Sequence, residues 1–189
     1  MNEARMKGFA NFAGYQLVWF CAVIAAGRGL AWPGVLAAAV FVLWQLAVSE
    51  HRGADARLLA IALPAGALID GALAASGAAA YAAPWPSGAF APVWILGLWC
   101  AFAMTLTHTL RFLHGRIPLA ALFGAIGGPL AYLGAARGWN AVEFAPPRWP
   151  ALAWLALGWG VAMPVLAQLA RRWSRAARMP LAVDARVPL

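Results

Sequence analysis

"RLLAIALPAGALIDGALAASGAA", residues 57–79, carries a single base at its head and a single acid, Asp70, in an otherwise almost wholly apolar run. At about 1.5 Å per residue, a helix of this length crosses a hydrocarbon core about 30 Å thick. Comparable runs recur at roughly 9–27, 30–48, 89–112, 117–136 and 150–170. They are separated by breaks rich in glycine, proline and charge: "GRG" at 27–29, "SEHRGADAR" at 49–57, "APWPSG" at 83–88, "RFLHGRIP" at 111–118 and "RGWNAVEFAPPRWP" at 137–150. Such residues punctuate helix ends. The spans of a β-barrel would instead alternate polar and apolar residues, and these do not.

Composition points the same way. Of 189 residues, 64% are hydrophobic and 11% charged, with a mean hydropathy of +0.74. That leaves too little polar surface for a soluble domain. The sequence predicts an all-α, polytopic membrane bundle of about six transmembrane helices over residues 1–173, followed by a cytoplasmic tail at 174–189. The first run reads as a retained span and not a cleaved signal peptide, because Asn11 and Gln16 interrupt it and Glu3 spoils a purely basic head.

The net charge of +8 does not indicate nucleic-acid binding, because the bases lie scattered at the ends of apolar runs and form no stripe. They read as orientation signals. Arg5, Lys7, Arg52, Arg57, Arg111, Arg116, Arg171, Arg172, Arg175, Arg178 and Arg186 fall on one side of a six-span layout, against Arg28, Arg137 and Arg148 on the other. Positive residues stay cytoplasmic during insertion, so both termini are expected inside. Trp32, Trp85, Trp139 and Trp149 mark the outer boundary, and Trp44 and Trp173 the inner one. Cys21 and Cys100 read as packing residues, and no metal-ligand spacing or cofactor motif occurs.

Depth along each helix sorts the polar residues into two layers. Asp70 lies about 20 Å from the Arg57 end of its span, whereas His108 lies only about 4–5 Å from Arg111. A direct pair between them is not expected. The inner layer is expected to gather His108, Thr105, Asn11, Gln45 and Gln16. The outer layer is expected to gather Asp70, Trp99, Tyr132 and the Gly127-Gly128-Pro129 break, with Glu143 above. A carboxylate among apolar residues faces protein, water or a ligand. Asp70 is therefore either a proton-exchanging or ligand-binding group, or a structural acceptor for Tyr132 or Trp99. Asp70 and His108 are the candidate catalytic residues. Asn11, Gln16, Trp19, Asp70, Trp99, Thr105, His108, Pro129 and Tyr132 form the candidate ligand set. Arg111 and Arg116 are candidates for an anionic lipid headgroup. Gly124 and Gly128 have the spacing of tight helix packing.

"NFAGYQLVWF", the aspartate of the third span, "FAMTLTHTLRFL" and "GAIGGPLAYLGAARG" together resemble a family of bacterial inner-membrane proteins of unknown function, over about residues 9–170. Thr107 stands where that family's pattern has asparagine before the histidine. The resemblance implies a multi-pass protein of the bacterial inner membrane, with Asn11, Gln16, Trp19, Asp70, His108, Gly128, Pro129 and Tyr132 on the shared motif. It also implies an association with membrane-lipid modification, because genes of that family often lie beside genes for cyclopropane-type fatty-acid modification. The expected function is an accessory protein or enzyme acting on membrane lipid. The alternatives are a small proton-coupled transporter using Asp70 and a scaffold for a peripheral lipid-modifying enzyme.

Overall fold

The computed structural model describes residues 3–176. Helices α1 (Glu3–Gly27), α2 (Trp32–Val48), α3 (Arg52–Ala75), α4 (Val93–Ala103), α5 (Ile117–Trp139) and α6 (Trp149–Ala176) make up most of it. Strands β1 (Ala79–Tyr81) and β2 (Val142–Phe144) pair antiparallel, with Ala80 opposite Glu143. They close one end of the bundle, called here the hairpin end. The arginines of 111–116 and 171–175 gather at the other, the basic end. Four helices, α1, α3, α5 and α6, are long and apolar enough to cross a membrane. Large apolar side chains face outward along them, including Leu17, Leu68 and Leu130. This is a helical membrane bundle.

Some helix ends lie beyond the apolar runs: α3 starts at Arg52, five residues before Arg57, and α6 continues to Ala176. The tail expected from 174 lies outside the described residues from 177 onward. α5 ends where Asn140 adopts a left-handed conformation at φ 52° and donates its N–H to the Ala136 carbonyl, a common helix stop.

The fourth apolar run departs furthest from expectation. A single helix over 89–112 was the simplest reading, but α4 stops at Ala103, and a short 3-10 helix forms only at Thr109–Leu113. The threonines supply the reason. Thr105 Oγ1 donates back to the Phe102 carbonyl at 2.7 Å, and Thr107 Oγ1 donates to Asp55 at 2.6 Å. Such side-chain bonds compete with the helical ladder. Lipid tolerates irregular backbone only where protein encloses it. Met104, Leu106 and Thr107 are accordingly buried.

Small residues let the helices approach. At α5–α6, a Cβ on Gly124 would strike the Trp159 carbonyl, and one on Gly128 would lie 2.6 Å from the Trp159 ring. Gly127, between them in sequence, points into open space. In lipid, where helix association rests on van der Waals packing, such close contacts matter. Gly124→Val is expected to lower stability by about 1–3 kcal/mol through overpacking, whereas Gly127→Ala is expected to be neutral or slightly stabilising. Unfolding of the purified protein in mixed micelles checks both.

Candidate functional site

Asp70 is fully buried near the hairpin end. Its Oδ1 accepts hydrogen bonds from the Tyr81 hydroxyl at 2.8 Å and from the Tyr132 hydroxyl, and its Oδ2 accepts the Trp99 indole N–H at 2.8 Å. Three donors from β1, α4 and α5 thus converge on one carboxylate of α3. Gly66, one helical turn before Asp70, makes this possible, because a Cβ there would overlap the Trp99 ring. The outer layer therefore forms around the acid, with Trp99 and Tyr132 as expected. Tyr81, in the short strand, is the partner that sequence reasoning missed.

Next to this hub lies a cleft of about 250 Å³ between α1, α4, α5 and α6. Trp99 stacks on Trp159 with ring centroids 4.1 Å apart, and Phe102 meets Trp159 edge-on at 5.1 Å. Tyr15 meets Phe102 in turn at 5.9 Å. These rings make a continuous aromatic wall. Gln16, Trp19, Phe123 and Gly127 lie at the half-open side of the cleft, between two membrane-crossing helices. α1 and α5 meet at their hairpin ends, where Gly27 lies against the Trp139 carbonyl and Trp19 packs against Trp139 at 5.6 Å. The mouth therefore opens between two helices long and apolar enough to cross a membrane. Polar groups on the lining include the Gln16 amide, the Tyr15 hydroxyl, the Tyr132 hydroxyl already committed to Asp70, and the Trp159 indole N–H. That N–H lies beside the Tyr132 hydroxyl without reaching hydrogen-bonding geometry.

Of the candidate ligand set, Gln16, Trp19, Trp99 and Tyr132 line the cleft. Gln16 belongs here and not with the inner residues. Pro129 lies within α5 but outside the lining, and Asp70 supports the wall from behind. Asn11, fully buried, donates to the Met104 carbonyl at 3.1 Å and accepts from Thr109 Oγ1 at 2.7 Å, tying α1 to the irregular segment after α4. Gln45 is buried in α2, and Thr105 bonds its own helix end.

At the basic end a second acid, Asp55, is fully buried on α3 and accepts from Ser49 Oγ and Thr107 Oγ1. It was not among the sequence candidates. Its charged surroundings, "SEHRGADAR", read as a loop, although an acid in the first turn of a helix is a recognised signal. His108 lies near Asp55, His51, Glu50 and Arg111, in a different layer from Asp70. Its Nε2 is buried without a hydrogen-bond partner among the described residues.

A second hollow, also about 250 Å³, opens at this end between the 3-10 segment and α6. Arg111 lines it, but Arg116 does not; Arg171, Arg175, His114 and His51 complete its basic wall. The His114 Nε2 lies 2.8 Å from the Leu106 carbonyl. Burial pushes this imidazole below the ordinary value of 6.5, and Arg111, Arg171 and Arg175 push the same way.

The fold and these two hollows define a helical membrane protein with a half-open aromatic cleft and a basic pocket at one end. Residues 8–165 match a family described as proteins of unknown function, DUF2878, and the chain belongs to that family. No curated protein and no solved structure matches the chain.

Asp70→Ala leaves three buried donors without an acceptor, at about 1–3 kcal/mol for each unsatisfied group. It is expected to destabilise the purified protein more than Tyr81→Phe, which removes one donor. The pH response follows from His114. A folded value below the unfolded one favours the neutral ring, so its stabilisation is present above 6.5 and is lost as pH falls through the lowered value. Acidification from about pH 7 to 5 is expected to lower the melting temperature of the wild type more than that of His114→Gln.

Proposed function

We propose that the protein holds part of one apolar lipid chain in the α1–α5 cleft and acts in membrane-lipid modification, as an accessory protein or an enzyme. The observation that carries this reading is the half-open aromatic cleft whose mouth lies between two membrane-crossing helices. Ligand pockets are largely apolar, with a few polar groups that set orientation, and run from about 300 to 1,000 Å³. A cleft of about 250 Å³ suits a segment of one chain and is too small for a whole two-chain lipid. Gln16 at the mouth and the Trp159 N–H inside supply the polar contacts.

In this reading the chain crosses the bacterial inner membrane six times, with both termini in the cytoplasm. The bias of Arg and Lys toward one side supports that orientation, and the basic pocket then faces the cytoplasm. A proton-coupled transporter built on Asp70 draws less support, because all of that carboxylate's visible bonds go to neighbouring helices and the hairpin. A scaffold for a peripheral lipid-modifying enzyme would use the basic end alone and leave the cleft without a role.

The test uses a phospholipid whose acyl chain carries a photoreactive diazirine, incorporated into membranes with the purified protein. Crosslinks are expected to map to peptides containing Trp19, Phe123 and Trp159. Gly127→Phe fills open space at the mouth; it is expected to reduce labelling about tenfold, equivalent to about 1.4 kcal/mol, with little change in melting temperature. Labelling spread over the outer helix faces and indifferent to Gly127→Phe would overturn the reading. Lipid profiles of a deletion strain, complemented by wild type or Gly127→Phe, then separate a role in lipid modification from simple binding.

A further inference from the structure

The basic pocket has a composition that orientation signals do not require. A residue that only sets topology needs to reach water, and Arg116 and Arg172 do so outside the hollow. Arg57 and Arg52 have local partners as well: Arg57 sits over the Trp173 ring at 6.0 Å, and Arg52 donates to the Ala47 carbonyl. Arg111, Arg171 and Arg175 behave differently. They converge on one concavity from two elements, without an ion-pair or hydrogen-bond partner among the described residues. Arg171 and Arg175 stand four residues apart on α6, a spacing at which like charges repel.

Among the described residues, no acidic side chain lines the hollow. The nearby carboxylate of Asp55 is fully buried and engaged by Ser49 and Thr107. The hydroxyls of the wall are spent too: Thr107 donates to Asp55, and Ser174 Oγ donates to the Ala170 carbonyl at 2.6 Å. The groups left facing the space are therefore the guanidinium groups of Arg111, Arg171 and Arg175 and the imidazoles of His51 and His114. One of them is positioned by the backbone. Gly115, at φ +79°, has no Cβ, and a Cβ there would collide with the Arg171 guanidinium. The turn after the 3-10 helix thus seats Arg171 against bare backbone.

We propose that this pocket binds a phosphoryl group, as a phosphate monoester or a diphosphate. Arginine forks match phosphate oxygens in bidentate fashion, with charge-assisted bonds stronger than neutral ones. Three forks around one hollow suit a group bearing more than one negative charge better than a single carboxylate. The phosphoryl group reaches the pocket either on a membrane lipid or on a soluble molecule. This assignment stands apart from the cleft, and its failure would leave the apolar-chain reading untouched.

The test uses the full chain in phosphatidylcholine nanodiscs, with phosphatidic acid added to the bilayer in one arm and pyrophosphate added to the solution in the other. Binding is read by calorimetry for pyrophosphate and by the rise in melting temperature for phosphatidic acid. Arg171→Gln and Arg175→Gln are each expected to weaken binding about tenfold or more, since hydrogen bonds to charged groups carry that much. Arg172→Gln removes the same charge from the same helix outside the pocket and is expected to bind as wild type. Arg175→Gln leaves the Gly115 contact intact, so it remains informative should Arg171→Gln fold poorly. Binding in the lipid arm alone identifies a membrane phosphate, and binding in both arms or in solution alone identifies a soluble phosphoryl compound; either supports the site. No binding in both arms, or equal weakening by Arg172→Gln, overturns it.

Discussion

A carboxylate inside an apolar bundle has to be answered by the protein itself, and Asp70 shows how much structure that demands. Water is scarce at that depth, and an unpaired buried charge costs far more than a single hydrogen bond returns. Three donors are brought to it from three elements. Each arrival imposes something further: a bare Gly66 under the Trp99 ring, a two-stranded hairpin that delivers Tyr81, and the α5 position of Tyr132. Trp99 and Tyr132, once pinned, are also part of the cleft wall. The acid thus shapes the cavity without entering it, which is how a buried polar network specifies one arrangement among many apolar ones.

The other organising device is the distribution of glycine on α5. Gly124 and Gly128 are closed against Trp159, so α6 sits tight and its indole is turned toward Trp99 and Phe102. A Cβ on Gly127 would meet nothing within contact distance, which leaves the mouth clear. One short stretch therefore sets both the packing of one wall and the opening beside it. These roles are separable by substitution because they lie on different faces of the helix.

Much of this was legible from residue order. Apolar run length gave the class of fold, and counting depth from the basic flanks placed Asp70 with Trp99 and Tyr132 and apart from His108. What escaped has physical causes. Tyr81 sits in a three-residue strand, too short to show a period of two. Asp55 was hidden because charge around it resembled a loop, whereas α3 already begins at Arg52. Gln16 was assigned to the inner layer by depth alone; its side chain instead joins the cleft, since depth does not say which face of a helix a residue occupies. Arg171 and Arg175 passed as orientation signals, although their spacing of four puts them on one helix face. Arg116 was paired with Arg111 by proximity in sequence, yet the turn at Gly115 separates them in space.

The brevity of α4 bears on how the chain is made. Its 11 residues span about 16 Å as a helix, roughly half of a hydrocarbon core about 30 Å thick. The continuation through Met104, Leu106 and Thr107 has no helical ladder of its own and is enclosed by neighbouring residues. Assembly in two stages, in which each helix is first stable alone in lipid and then associates, is not open to such a segment. During biosynthesis the Met104 carbonyl and the Thr107 hydroxyl need Asn11 and Asp55 in place, and both precede the segment in the chain. The order of synthesis therefore supplies the partners before the segment that depends on them, and α4 matures as a tertiary element and not as an independently inserted one.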